Sequence, residues 1–173
     1  MKKCLILAVM LLMLTGCGAQ ETLETVSDDY IQPVSAPLWQ MILDVPQDAS
    51  VTVLQGEDTG KLYLCDGYTV AVQTMEAGDL QKTLRTLTGY EKEELTLMQT
   101  LQDGAKRYEC VWTSAGEGET QVGRACLLDD GNYIYAVTAM TGESKAGELT
   151  EVWQELFDSF RLVSPDAELN TGS

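Results

Sequence analysis

The chain has 173 residues, of which 45% are hydrophobic and 22% charged, so it has room for one globular domain and a short targeting segment. It carries 27 acidic residues against 11 lysines and arginines, and it contains no histidine. The acidic excess argues against nucleic-acid binding, and the lack of histidine excludes Ser-His-Asp and Cys-His catalysis.

The amino-terminal residues have the pattern of an export signal. Two lysines precede an apolar stretch at residues 4–14, which is shorter than the ~20 residues of a membrane-spanning helix. The next motif, Leu14-Thr15-Gly16-Cys17, resembles the lipobox of bacterial lipoproteins. The resemblance implies cleavage before Cys17, acylation of its sulfur, and a lipid anchor in the cell membrane, facing outside the cytoplasm. An ordinary secretory signal with an incidental cysteine is the alternative.

This interpretation divides the chain into four segments. They are a lipoprotein signal peptide at 1–16, an acidic flexible tether at 17–37, a globular α+β domain at 38–163 and a disordered tail at 164–173. Without the signal peptide, 9 basic residues face 27 acidic ones, so the side-chain charge becomes 9 − 27 = −18. Such a charge favours solubility, and it could also attract cations or a basic partner.

Runs rich in Val, Leu, Tyr and Thr alternate with Asp-Gly and other glycine-containing turns, which is typical of β-hairpins. The predicted strands are residues 39–45, 50–55, 61–65, 68–75, 95–102, 106–114, 121–128 and 133–140. Two-residue turns at Asp103-Gly104 and Asp130-Gly131, with a loop centred near Gly118, would pair Cys110 with Cys126. This register predicts that one sheet face collects a core wall. Its members are Leu95, Leu97, Leu101, Tyr108, Cys110, Trp112, Cys126, Leu128, Tyr133, Tyr135 and Val137.

Two helices interrupt the strands. Asp79 is predicted to cap the first helix, whose leucines recur at helical spacing until Gly89 ends it. The second helix lies in GELTEVWQELFDSF, where apolar residues form one stripe, and Thr150 or Ser144 is the predicted cap. We therefore predict a single α+β domain, an antiparallel β-sheet meander covered by helices on both faces.

The order of these elements resembles a known family. The chain has an opening strand that ends in Val-Pro (within LDVPQDAS), then hairpins, a helix, a long meander and a closing helix that ends in Asp-Ser-Phe-Arg-Leu. This order, with the YIYAVTA and SFRL segments, resembles the PsbP-like α/β/α sandwich over about residues 39–163. That sandwich occurs in photosystem extrinsic proteins and in many bacterial lipoproteins. The resemblance implies a noncatalytic accessory or binding module, and it brings no functional residue with it.

Three cysteines remain in the domain, so at most one disulfide can form within a monomer. The predicted register makes Cys110 and Cys126 the candidate disulfide and leaves Cys65 as a free thiol. The alternative is that all three are buried thiols that act as small apolar residues. No Cys-x-x-Cys pair is present, and neither a metal site nor a cofactor is predicted.

Acidic clusters offer the remaining candidate chemistry. They are Asp28-Asp29, Glu91 with Glu93-Glu94, and Asp129-Asp130. The last cluster is predicted to form a hairpin turn, because a calcium loop starting there would need a glutamate where the chain has Met140.

The sequence favours a membrane-anchored extracytoplasmic lipoprotein that is not an enzyme. Its expected role is a binding or accessory module for a protein or envelope partner, through the sheet edge or the long hairpins. A cation- or small-ligand-binding lipoprotein is the alternative, and a hydrolase with two converging carboxylates is the third hypothesis.

Overall fold

The computed structural model describes residues 36–54, 59–116 and 118–164. The predicted signal peptide and lipobox, with almost all of the tether and the tail, lie outside these residues. Nine strands are present in the described ranges. They are β1 (Gln40–Ile42), β2 (Ser50–Leu54), β3 (Thr59–Cys65), β4 (Tyr68–Glu76), β5 (Met98–Gln102), β6 (Ala105–Ala115), β7 (Thr120–Asp129), β8 (Tyr133–Gly142) and β9 (Arg161–Val163).

Strands β2 to β8 form one antiparallel sheet in the spatial order β2-β3-β4-β8-β7-β6-β5. The β2–β4 hairpins and the β5–β8 meander therefore join where β4 pairs with β8. Strands β2 and β5 are the two edges. Strand β1 pairs with β9 instead, with Met41 opposite Leu162, so the predicted opening strand is short and lies outside the main sheet.

The helices are α1 (Leu80–Thr88), the short α2 (Glu143–Ala146) and α3 (Thr150–Ser159), with a 3₁₀ turn at Lys92–Glu94. The predicted limits of α1 are confirmed: Asp79 accepts a hydrogen bond from the Gln81 amide at 3.0 Å, and Gly89 ends the helix with φ 81°. The predicted caps of α3 are wrong. The Thr150 hydroxyl donates to the Gly147 carbonyl, and the Ser144 hydroxyl donates to the Glu119 carboxylate.

Buried apolar residues form two clusters, named here the α3 cluster and the α1 cluster after the helices that contribute to them. Strand β7 supplies both, because Cys126 and Leu128 belong to the α3 cluster while Ala125 and Leu127 belong to the α1 cluster. Alternate residues of one strand point to opposite faces, so the clusters lie on the two faces of the sheet. A sheet-dominated α+β fold is thus confirmed. No helix within the described ranges is long and apolar enough to cross a membrane.

The predicted register is correct for β5 and β6, where Gln102 lies opposite Ala105. It is wrong by one residue for β6 and β7, since Cys110 lies opposite Ala125. A one-residue slip moves every side chain of a strand to the other face. The predicted wall is therefore divided: its β6 residues Tyr108, Cys110 and Trp112 lie in the α1 cluster, and its β7 and β8 residues lie in the α3 cluster. Leu101 lies in neither and is 77% exposed.

Side-chain size and charge explain the observed register. Trp112 lies opposite Gly123, and a Cβ atom at position 123 would overlap the indole ring. The same register places Arg124 on the face of Glu109, with 2.9 Å between the guanidinium and carboxylate. In the predicted register Arg124 would lie opposite Trp112. Trp112 would then not face a glycine, and Arg124 would lie on the opposite face of the sheet from Glu109.

The loop of the β7–β8 hairpin is also longer than the predicted two-residue turn. Leu128 lies opposite Tyr135 rather than Tyr133, a shift of two positions that keeps each side chain on its predicted face. The Asp130 carboxylate accepts from the amides of Asn132 and Tyr133 at 2.8 and 2.7 Å. The acidic pair thus forms the turn expected of it.

Candidate binding surface

A largely apolar groove of about 450 Å³ lies on the face of the α3 cluster. The segment from Met41 to Val45 forms one side, and residues of β2, β3 and β4 form the other. The lining residues are Met41, Leu43, Val45, Val53, Leu54, Gly60, Lys61, Tyr63 and Val72. Lys61 is the only charged member of this set, so the groove suits apolar side chains.

Long-range hydrogen bonds hold the first side of the groove in place. The Trp39 amide donates to the Tyr135 hydroxyl at 2.7 Å, and the Asp44 amide donates to the Ser159 hydroxyl at 3.0 Å. Between these two points, Met41 pairs with Leu162. The segment is therefore anchored at both ends to the main sheet and to α3.

Close backbone packing shapes the other side. Gly60 lies opposite Leu54 in β2 and Gln73 in β4. A Cβ atom at Gly60 would approach the Val72 carbonyl oxygen to 2.6 Å, so only glycine allows the three strands to approach this closely. The shape of the groove thus depends on Gly60, a residue that belongs to no catalytic or metal-binding motif.

The groove borders a sheet edge. In β2, the side chains of Val51 and Val53 are 57% and 66% exposed, although valine is usually buried. The five residues of β2, SVTVL, include no charge, proline or glycine of the kind that protects edge strands in soluble proteins. Strand edges were among the predicted binding surfaces, but the groove itself could not be predicted, because it depends on where the Met41–Val45 segment lies.

A larger cavity of about 610 Å³ lies beside the start of α1. Its lining mixes Glu76, Asp79 and Lys82 with apolar residues, and Asp79 already caps the helix. Among the described residues, no hydrogen bond joins Glu76, Asp79 and Lys82 to one another. We therefore regard the apolar groove as the better candidate.

A charged cluster lies between the sheet and α3, on the same face as the groove. Glu109 receives hydrogen bonds from Arg107 at 2.7 Å and Arg124 at 2.9 Å. Arg124 also stacks over the Phe157 ring at 4.6 Å, and Arg107 donates to the Phe157 carbonyl at 3.1 Å. The two arginines thus contact α3, and Glu109 joins them on the sheet, so the cluster helps to hold α3 on the sheet.

That cluster also determines the charge state of Glu109. Burial by itself raises the pKa of a carboxyl group, but hydrogen bonds from Arg124 and Arg107 and their positive charges outweigh it and lower the pKa of Glu109. Glu109 is therefore ionised at neutral pH and is not the raised-pKa acid that a glycosidase needs.

The cysteines lie apart from one another. Cys110 is in the α1 cluster and Cys126 in the α3 cluster, and Cys65, Cys110 and Cys126 are all free thiols. The register that supported a Cys110–Cys126 disulfide is therefore wrong, and side chains on opposite faces of a sheet cannot bridge. Cys17 lies outside the described residues. Within those residues, no three His, Cys, Asp or Glu side chains are placed to hold a metal ion.

We expect the two buried cysteines of the native protein to resist alkylation. Burial raises the pKa of Cys110 to about 11 and that of Cys126 to about 12, so at pH 8 about a thousandth or less of either is thiolate. Iodoacetamide treatment and peptide mapping should show both unmodified in the native protein, and both modified after denaturation without reductant. A Cys110–Cys126 peptide pair that stays unmodified in denaturant would contradict the structure.

Comparisons with known proteins identify the fold. No protein-family model matches the chain, and no curated protein matches it by sequence. The solution structure of cyanobacterial PsbP (CyanoP) from Synechocystis sp. PCC 6803 matches with a TM-score of 0.53 at 12% identity, covering 72% of this chain and 92% of that one. LpqN of Mycobacterium tuberculosis, described as involved in cell envelope biogenesis, matches with a TM-score of 0.51 at 10% identity, covering 75% of this chain and 86% of that one. The chain therefore has a PsbP-like fold.

Proposed function

We propose that the protein is a membrane-anchored extracytoplasmic lipoprotein and that it serves as a noncatalytic binding or accessory module for a protein or envelope partner. The observation that carries the proposal is the apolar groove beside β2, an edge strand with which no strand other than β3 pairs among the described residues. In a chain of charge −16, an exposed apolar surface of this kind is typical of a binding site.

Two further observations support it. LpqN, which shares the fold, is described as involved in cell envelope biogenesis. The motif Leu14-Thr15-Gly16-Cys17 resembles a lipobox, which would make Cys17 the anchoring residue and residues 17–37 the tether between that anchor and the domain. We propose in addition that α1 and α3 cover opposite faces of the sheet, as in the α/β/α sandwich, since each contributes to a different buried cluster.

The proposed anchor predicts the effect of replacing Cys17 by serine. The wild-type chain should be recovered with the membranes, and mass spectrometry of its amino-terminal peptide should show an acylated cysteine as first residue. The Cys17→Ser variant should lose the acyl groups and partition away from the membranes, because each buried methylene contributes about 0.8 kcal/mol to anchoring. An unmodified Cys17 in the wild-type chain, or a cleavage site after it, would overturn the anchoring part of the proposal.

A further inference from the structure

We infer that the groove and strand β2 together bind an extended peptide segment of a partner, which adds to the sheet as a new edge strand and has lysine or arginine at its ends. The inference rests on the proposed binding function and names its surface and its class of partner.

Strand β2 is an open edge of the main sheet. Strand β2 pairs with β3 on one side, and no strand of the described residues pairs with it on the other. Four of its five residues are exposed. An edge strand presents a row of backbone donors and acceptors, to which an extended peptide can hydrogen-bond regardless of its sequence.

The exposed valines of β2 lie on the same face of the sheet as the groove. Val51 lies opposite Tyr63, Val53 lies opposite Lys61, and Lys61 lies opposite Val72. Residues paired in this way share a face of the sheet, and Tyr63 and Val72 line the groove. Alternate side chains of an added strand would therefore project on the groove side, where apolar groups gain burial.

The other edge of the sheet provides a contrast. Strand β5 also exposes apolar side chains, with Met98 at 54% and Leu101 at 77%. However, its Gln102 accepts a hydrogen bond from Arg107 and donates to the Phe160 carbonyl, so a polar network borders this edge. An apolar segment would gain less there, and β5 supplies a control for the edge at which the peptide binds.

The surface that leads into β2 is acidic. Asp44 and Asp48 are exposed on the segment that leads into β2, and the whole chain carries −16. A second copy of the chain would bring a like charge to the same edge, which opposes self-association. Lysine or arginine beside an apolar strand would instead complement this surface, and would accelerate association at low salt.

The test uses the purified full chain and a labelled, amidated peptide in which valine alternates with threonine and lysines stand at both ends. Affinity is measured by fluorescence anisotropy for the wild type and for Val53→Lys and Leu101→Lys. Both variants add one positive charge at an exposed position, on opposite edges of the sheet. Val53 lies on the face of the α3 cluster, whereas Leu101, opposite Lys106, lies on the face of the α1 cluster. Val53→Thr, which keeps the size of valine, replaces Val53→Lys if the lysine variant does not fold.

The wild type should bind the peptide saturably. Val53→Lys should weaken binding about tenfold, as expected for the loss of one well-buried valine contact, and Leu101→Lys by about twofold at most. A peptide of the same sequence, N-methylated on the backbone, should bind at least about tenfold more weakly, because it cannot complete the strand pairing. Replacing its lysines by glutamates should also weaken binding.

Several results would overturn the inference. These are a lack of saturable binding, equal losses in the two lysine variants, equal affinity for the N-methylated or glutamate-flanked peptide, and wild-type self-association through β2. The proposed function survives each of them if Cys17 is acylated and a partner contacts another surface of the domain. The anchoring part of the proposed function is tested independently, and it fails if Cys17 is not acylated.

Discussion

Replacing Phe157 with alanine should lower the free energy of unfolding by about 3–5 kcal/mol. The Phe157 side chain is fully buried in the α3 cluster, and the Arg124 guanidinium lies 4.6 Å from the centre of its ring. The substitution therefore leaves a cavity and removes a cation–π contact in the same place. Chemical denaturation at neutral pH, followed by tryptophan fluorescence and circular dichroism, measures the change.

A matched control is available on the same helix. Val152 is 40% exposed, so Val152→Ala should cost about 1 kcal/mol or less. If Phe157→Ala does not fold, Phe157→Leu should show a smaller loss that still exceeds the control. Equal costs for positions 157 and 152 would show that α3 does not pack on the sheet through this face.

Replacing Glu109 with glutamine should cost about 2–3 kcal/mol. The carboxylate is 14% exposed and pairs with Arg107 and Arg124, which are 11% and 19% exposed. Removing its charge leaves two largely buried guanidinium groups without their partner, and removing one member of such a network is costly. We place the loss below that of a fully buried pair, because water reaches all three groups.

The same substitution at Glu91 is the control. Glu91 pairs with Arg85 at 2.6 Å, but this pair lies on the surface, with side-chain exposures of 36% and 62%. Surface pairs contribute little, so Glu91→Gln should leave the unfolding free energy almost unchanged. A Glu109→Gln variant as stable as Glu91→Gln would show that the charged cluster does not hold α3.

The pH dependence follows from the lowered pKa of Glu109. The unfolded chain has the ordinary glutamate pKa of about 4.5, and the folded chain has a lower one. The stabilisation by Glu109 is therefore complete above pH 4.5 and is lost as the pH falls through the folded value. The difference in stability between wild type and Glu109→Gln should thus be constant near neutral pH and shrink in acid.

Much of the fold could be predicted because local signals were strong. Alternating apolar residues between Asp-Gly turns located most strands, and Asp79 and Gly89 marked the ends of α1. The partnership of β4 with β8, and of β1 with β9, could not be predicted, since no turn joins these strands. Such pairings depend on how the whole chain packs.

The wrong register had a different cause. The loop between β6 and β7 is rich in glycine and glutamate, which allow several lengths, so its centre could not be located to one residue. The informative signal was the need of Trp112 for a glycine on the facing strand, which Gly123 meets. Charge was a second signal, since the correct register places Glu109 between two arginines.

The central claim is that the anchored protein binds its partner at the β2 edge. A photo-crosslinking amino acid placed at position 53 or at position 101 of the lipidated chain, in intact membranes, tests it most directly. Both positions are exposed, at 66% and 77%, on opposite edges of one sheet. We predict a discrete adduct from position 53, with the attached segment extended and flanked by basic residues, and none from position 101. Adducts from position 101 alone, equal adducts from both positions, or none from either would contradict the claim.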